Sequence, residues 1–261
     1  MLPPSAQSAE YSLGGWCGLP SSYATEIMAA SGFDWLLMDW QHGMLDFSDV
    51  IIMLQAAAIA RTPALVRVPS AEPAGIMKAL DAGAAGVLVP LVNTAEQARQ
   101  AVAACRYPPA GGRSWGPARA QLWDSDYSAA GANRSVVCAV QIETMESVAN
   151  LDEILSVDGV DVAFVGPSDL AVSLGEKARL GPIPGLHQDT IAEIGRRARE
   201  RDVIPGIYCG SAAAAIAFAD LGYRMLALAN DAVLLRVGAT AALREVRESA
   251  ARPAVPASPP Q

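Results

Sequence analysis

The sequence predicts an α/β fold: a (β/α)₈ TIM barrel forming a single domain. Three observations carry that prediction. Short apolar runs with β-branched residues alternate with alanine-rich stretches of helical period. The alternation makes eight strand–helix units within about 240 residues, which suits a closed barrel better than an open sheet. The strand-like runs are apolar throughout rather than at alternate positions, the mark of parallel strands covered by helices.

The units follow in order. Tyr11–Leu19 reads as a first strand and Ser21–Ala30 as its helix. Phe33–Trp40 and Phe47–Arg61 form the second pair, Thr62–Val68 and Pro73–Asp81 the third, Gly86–Val92 and Thr94–Arg106 the fourth. A long insertion follows, from Tyr107 to Arg134, rich in Gly, Pro, Trp and Ser. Pairs resume with Ser135–Ile142 and Met145–Ser156, then Val160–Gly166 with a short helix over Pro167–Leu174. A loop leads to a helix at Gln188–Arg201. The last units are Ile204–Cys209 with Ser211–Leu221, and Tyr223–Ala229 with Asp231–Arg247. Residues 1–10 read as an extension and 11–250 as the barrel. Residues 251–261, rich in Pro, Ala and Ser, have little to bury and are expected to be disordered.

Composition narrows the function. In the 261 residues, 52% are hydrophobic, enough for a sizeable core. The net charge is −8 and no Lys/Arg-rich run appears, which argues against nucleic acid or an anionic membrane as partner. No apolar run has the roughly 18 residues needed to span a bilayer, and no secretory signal is apparent. The cysteines Cys17, Cys105, Cys138 and Cys209 lack metal-ligand spacing and read as buried free thiols, so a reducing cytoplasm is expected. Neither a Gly-rich dinucleotide fingerprint nor a Walker loop is present, so no nucleotide cofactor is expected.

In such a barrel, chemistry sits at the C-terminal ends of the strands. The unusual polar residues fall there: Asp39, Gln41 and His42 after the second strand, Arg67 ending the third, and Asn93 the fourth. Gln141 and Glu143 end the fifth, and Ser168 and Asp169 follow the sixth. Glu143 and Asp169 lie on neighbouring strands, roughly 4.8 Å apart in a sheet. Two bare carboxylates that close repel, so either one takes a proton or a cation lies between them. An octahedral ion such as Mg²⁺ or Mn²⁺ suits two oxygen ligands with room for water. The competing reading is that each carboxylate caps a helix.

His42, with Asp39 three residues before it, reads either as a general base or as a satisfied, partly buried histidine. His187 lies just before a helix and reads as structural. Arg67 ends an apolar strand and requires an anionic partner: a substrate oxyanion, or an internal carboxylate such as Asp81 or Glu72. Ser211 and its neighbouring amides give a weak anion-binding signal. A Schiff-base mechanism needs a desolvated lysine inside the barrel. The lysines, Lys78 and Lys177, fall mid-helix and in a loop, which disfavours that route.

These segments together resemble the HpcH/HpaI aldolase family, the class II 2-oxo acid aldolases. The matching stretches are Phe33-Asp34-Trp35-Leu36-Leu37-Met38-Asp39-Trp40-Gln41-His42-Gly43, Leu65-Val66-Arg67-Val68-Pro69 and Ala79-Leu80-Asp81-Ala82-Gly83-Ala84. Further along are Arg106-Tyr107-Pro108-Pro109-Ala110-Gly111, Gln141-Ile142-Glu143-Thr144 and Val165-Gly166-Pro167-Ser168-Asp169-Leu170. The resemblance spans residues 12–247 and keeps the expected order.

It implies a reversible cleavage of 4-hydroxy-2-oxo acids to pyruvate, or a related 2-oxo acid, and an aldehyde. Glu143 and Asp169 are implied as ligands of a divalent metal (Mg²⁺, Mn²⁺ or Co²⁺), and Gln141 and Ser168 as holding the donor. His42 is implied as the base, acting directly or through a metal-bound water. Asp81 is implied to raise its basicity, Asp39 to be a further partner, and Arg67 to stabilise the enolate formed at the metal. The resemblance also implies a homo-oligomer, trimer or hexamer, whose C-terminal helices exchange between neighbours. Gln41, Ser114 and Asn230 depart from the family pattern, which bears on substrate scope and loop shape.

Rival readings are a citrate-lyase-β-like enzyme acting on acyl-CoA esters and a non-catalytic metabolite-binding barrel. No separate basic platform for CoA phosphates appears, and every implied catalytic group is present. The aldehyde pocket is expected to be shaped by Trp16, Leu19, the loop after the seventh strand and a neighbour's Trp115–Trp123 loop.

Overall fold

Strands that are apolar on both faces need cover on both, and a barrel supplies it with an inner filling and an outer ring of helices. The computed structural model describes residues 10–178, 181 and 184–250 and has this form. Eight parallel strands pair in sequence order, and β8 closes onto β1.

The chain runs β1 (Ser12–Cys17), α1 (Ser22–Ala30), β2 (Trp35–Asp39), α2 (Phe47–Ile59), β3 (Ala64–Arg67), α3 (Pro73–Asp81), β4 (Gly86–Val89) and α4 (Ala95–Cys105). Then come α5 (Ala129–Ser135), β5 (Val137–Ile142), α6 (Met145–Ala149), α7 (Leu151–Leu155), β6 (Val162–Val165) and α8 (Pro167–Ser173). The last elements are α9 (Leu186–Glu200), β7 (Ile204–Tyr208), α10 (Ala212–Asp220), β8 (Met225–Asn230) and α11 (Asp231–Ala250). The N-terminal extension up to residue 9 and the tail 251–261 lie outside the described residues.

The barrel interior is packed by Trp16, Trp35, Leu65, Leu88, Phe164 and their neighbours. A second apolar layer fills the space between strands and helices and includes all four cysteines, which are buried and free. Gly14 is required where β1 shifts register against β8: a Cβ there would come within 2.2 Å of the Trp35 ring. Local chemistry sets the helix starts. Ser21, Thr94, Ser128, Thr144 and Ser211 each accept an N–H of the first helical turn.

Two stretches differ from the sequence expectation. The helix expected over Met145–Ser156 is broken at Asn150, whose side-chain amide donates to the Asn93 carbonyl at 2.9 Å. Within the insertion, Ala120–Trp123 forms a 3₁₀ turn and Ser128 nucleates α5. Among the described residues, no helix is long and apolar enough to cross a membrane.

Candidate active site at the C-terminal rim

The register places the rim residues. Asp39 and Arg67 are directly paired on β2 and β3, so their side chains point the same way, into the top of the barrel. There the Asp39 carboxylate is fully used. It accepts Nε (2.9 Å) and Nη2 (2.7 Å) of Arg67, Nε1 of Trp16 (2.9 Å) and the backbone N–H of His42 (3.1 Å). Burial works against its charge, but these donors win and hold its pKa below the ordinary range. The Arg67 guanidinium also lies 4.9 Å from the Trp16 ring centroid.

This answers two questions left open by the sequence. The anionic partner of Arg67 is Asp39, rather than Asp81 or Glu72. Asp39 meets the backbone of His42, not its ring, because the intervening turn brings the His42 N–H back over the carboxylate. The His42 side chain is exposed at the rim.

Across the mouth, the second group of polar residues is short of partners. Glu143 is 3% exposed. It accepts Nε2 of Gln141 at 2.5 Å and the backbone N–H of Leu91 at 2.9 Å, and the Asp169 carboxylate is near enough to act on its charge. Burial pushes its pKa up to about 7. The Leu91 amide and the charge of Arg67 pull against that rise, and the Asp169 carboxylate adds to it. Oε1 of Gln141 is buried with no hydrogen-bond partner, and so is Oε1 of Gln41 on the loop after β2. Gly166 leaves room here that a side chain would take: a Cβ would stand 2.6 Å from Glu143 Oε2 and 2.8 Å from Gln141 Nε2.

Among the described residues, no three His, Cys, Asp or Glu side chains converge on one point. No site among them is thus built from three or more such side chains. Two adjacent carboxylates and an unsatisfied amide oxygen beside an open cavity fit a hard divalent cation that takes its remaining ligands from water and substrate.

The cavity has a volume of about 240 Å³. Of the residues singled out in the sequence, Trp16, Asp39, His42, Arg67, Gln141, Ser168 and Asp169 line it. Glu143 adjoins it through Gln141 and Asp169. Neither Lys78 nor Lys177 is on its wall. Lys78 instead sits 5.1 Å from the Phe47 ring centroid. His187 is buried, with Nε2 2.8 Å from the Pro167 carbonyl, and so steadies the turn that presents Ser168 and Asp169. Asp231, at the start of α11, accepts the N–H groups of Gly18 (3.0 Å) and Leu19 (3.1 Å) and fixes the loop after β1.

Asp81 does not join the group within one chain. α3 runs back down the barrel wall from Pro73, so its last residue lies about 13 Å away, toward the opposite end. There Asp81 accepts Nη2 of Arg113 at 2.8 Å. Phe164, Tyr208 and Asn230 also line the cavity. Asn230 stood out only as a departure from a pattern. Phe164 is the register partner of Gln141 and looked like strand core. Tyr208 ends β7, and its place at a strand end was the signal that could have found it.

Comparisons with known proteins agree with this geometry. A family model described as HpcH/HpaI aldolase/citrate lyase matches residues 13–236. A hydroxypyruvate/pyruvate aldolase from Rhizorhabdus wittichii is 37% identical over 235 residues, covering 90% of this chain and 94% of that protein. A 4-hydroxy-2-oxo-heptane-1,7-dioate aldolase from Klebsiella pneumoniae is 41% identical over 235 residues, covering 88% and 87%. The crystal structure of an HpcH/HpaI aldolase/citrate lyase family protein from Burkholderia cenocepacia superimposes with a TM-score of 0.85 at 34% identity, covering 93% of this chain and 96% of that one.

Proposed function

The chain belongs to the HpcH/HpaI aldolase/citrate lyase family, and from that membership and its rim geometry we propose that it is a divalent-metal-dependent aldolase. It cleaves 4-hydroxy-2-oxo acids to pyruvate, or a related 2-oxo acid such as hydroxypyruvate, and an aldehyde, and runs the reverse addition. The observation that carries this reading is the Glu143–Asp169 pair beside the unsatisfied Gln141 oxygen.

Glu143 and Asp169 hold the cation, which is Mg²⁺, Mn²⁺ or Co²⁺. When bound, it supplies the positive charge that makes a 2-oxo group a good electron sink. The chain's own groups do the rest. Gln141 and Ser168 orient the carboxylate end of the donor. Arg67, locked by Asp39, presents fixed positive charge where enolate charge develops. His42, exposed at the rim and anchored through its backbone, takes the proton from C3 of the donor, or in cleavage from the 4-hydroxyl. Trp16, Tyr208 and Asn230 border the space left for the aldehyde.

The protein works as a homo-oligomer. Leu234, Leu235, Val237, Leu243 and Val246 of α11 are exposed on the single chain and are suited to cover by a neighbour. Asp81 and His42 lie toward opposite ends of one barrel, so any pairing between them joins two copies. Light scattering on the intact protein should give a multiple of 27.1 kDa.

The direct test is pyruvate release from a panel of 4-hydroxy-2-oxo acids, followed by coupled NADH oxidation. Activity should vanish with a chelator and return with Mg²⁺, Mn²⁺ or Co²⁺. Borohydride with pyruvate should leave the chain unmodified. Chelator-resistant cleavage, or pyruvate trapped on Lys78 or Lys177, would overturn the reading.

A further inference from the structure

The β7–β8–β1 side of the rim cavity carries two uncharged polar groups that holding the 2-oxo acid leaves unused. Asn230 ends β8 and is the register partner of Trp16, so both side chains point the same way, into the mouth. Tyr208 ends β7, and its ring packs inside the barrel, edge-on to Trp16 with centroids 5.2 Å apart. In that top layer the open side is the mouth, and Tyr208 and Asn230 are half-buried there, on the cavity wall.

Both groups have a proton to give. Burial raises the Tyr208 pKa above its ordinary value, so the hydroxyl stays protonated at neutral pH. The backbone N–H of Asn230 is near enough to act on its oxygen, and among the described residues no side chain bonds to it. Asn230 accepts the N–H of Ala232 with Oδ1 at 2.9 Å, which leaves Nδ2 as its donor. Nδ2 lies against Gly18, where a Cβ would stand 2.9 Å away, so glycine keeps space beside it. Trp16 cannot serve in this way, because Asp39 holds its Nε1–H, and Phe164 offers only a ring. An apolar ligand filling this space leaves both donors without an acceptor, which a hydroxyl on the ligand supplies.

We propose that Tyr208 and Asn230 select the aldehyde, and that the preferred one is a short hydroxyaldehyde whose hydroxyl oxygen accepts from the Tyr208 hydroxyl and from Nδ2 of Asn230. This rests on the aldolase reading, in which the 2-oxo acid is held on the Gln141 and Ser168 side and the aldehyde takes the space that remains. A cavity of about 240 Å³, shared with the donor, keeps the aldehyde short. The two residues bind and discriminate; neither moves a proton in the reaction.

Aldol addition to pyruvate, with Mn²⁺ present, is measured with glycolaldehyde and with propanal, which differ by a hydroxyl in place of a methyl. The unaltered protein should have the higher kcat/KM for glycolaldehyde. The ratio of the two kcat/KM values should fall roughly 3- to 10-fold in Tyr208→Phe, as loss of one hydrogen bond to the substrate does, and likewise in Asn230→Ala. Damage to the fold slows both aldehydes alike and leaves the ratio where it was. The proposal is overturned if the unaltered protein prefers propanal, or if the ratio in Tyr208→Phe equals that of the unaltered protein. The Asn230→Ala ratio decides alone if Tyr208→Phe does not fold. Exchange of the pyruvate methyl protons in D₂O by the unaltered protein needs no aldehyde and separates the two readings. Exchange with an unmoved ratio overturns this inference alone; no exchange overturns the aldolase reading and this inference with it.

Discussion

The two sides of the barrel mouth handle charge in opposite ways. On the β2–β3 side, Asp39 has an acceptor site for each of four donors, and Arg67 is paired through two nitrogens. On the β5–β6 side, a buried carboxylate faces a second carboxylate, and a buried amide oxygen beside them has nothing to accept. The first arrangement is complete as folded. The second is costly until something positive arrives. A satisfied network holds groups in position; an unsatisfied one keeps a place for a ligand.

Mutations should separate the two sides. His42→Ala is expected to have the largest effect, lowering the rate by about 10²–10⁴-fold, as loss of a general base does. Exchange of the pyruvate methyl protons in D₂O measures it, and the exposed side chain should leave stability intact. Unchanged exchange would mean that the base is elsewhere.

Asp39→Ala strips the completed side and leaves Arg67 charged, buried and unpaired. The cost should be about 3–5 kcal/mol in urea unfolding. A cost near zero would show that the network is dispensable to the fold.

The same experiment on the other side should have the opposite sign. In metal-free protein, burial holds the Glu143 proton up to about 7, against an ordinary 4.5. The unfolded chain releases that proton first, so stability through this group is present below the ordinary value and falls as pH rises across that window. Glu143→Gln does not titrate. At pH 8 it should stabilise the metal-free fold by up to about 3 kcal/mol. Destabilisation there would erase the contrast between the two sides.

Trp16→Phe keeps an aromatic side chain but removes the Nε1–H bond to Asp39 together with one of the two fused rings packed in the barrel. It should cost about 1–3 kcal/mol, the smallest loss in the series. A loss as large as that of Asp39→Ala would mean that the indole holds the whole network together.

Much of this was legible in the sequence because it depends on local order. Strand–helix alternation gave the barrel, and polar residues at strand ends gave the rim, including Glu143 and Asp169. What depends on register or direction was not legible. That Asp39 pairs with Arg67 follows only once β2 and β3 are aligned residue against residue. That Asp81 lies far from His42 follows from the downward run of α3. Phe164 could not be told from strand core, because its role comes from standing beside Gln141 in a neighbouring strand. The break at Asn150 depends on a bond to Asn93, far away in sequence.

The central claim is that the unsatisfied side is built for a divalent cation. Equilibrium titration with Mn²⁺, read by calorimetry or by loss of the free-ion magnetic resonance signal, tests it without relying on turnover. One saturable site per chain is predicted, weakened at least 10- to 100-fold in both Glu143→Gln and Asp169→Asn and retained in His42→Ala. No saturable site in the unaltered protein, or an affinity in the two carboxylate variants equal to that of the unaltered protein, would contradict the account.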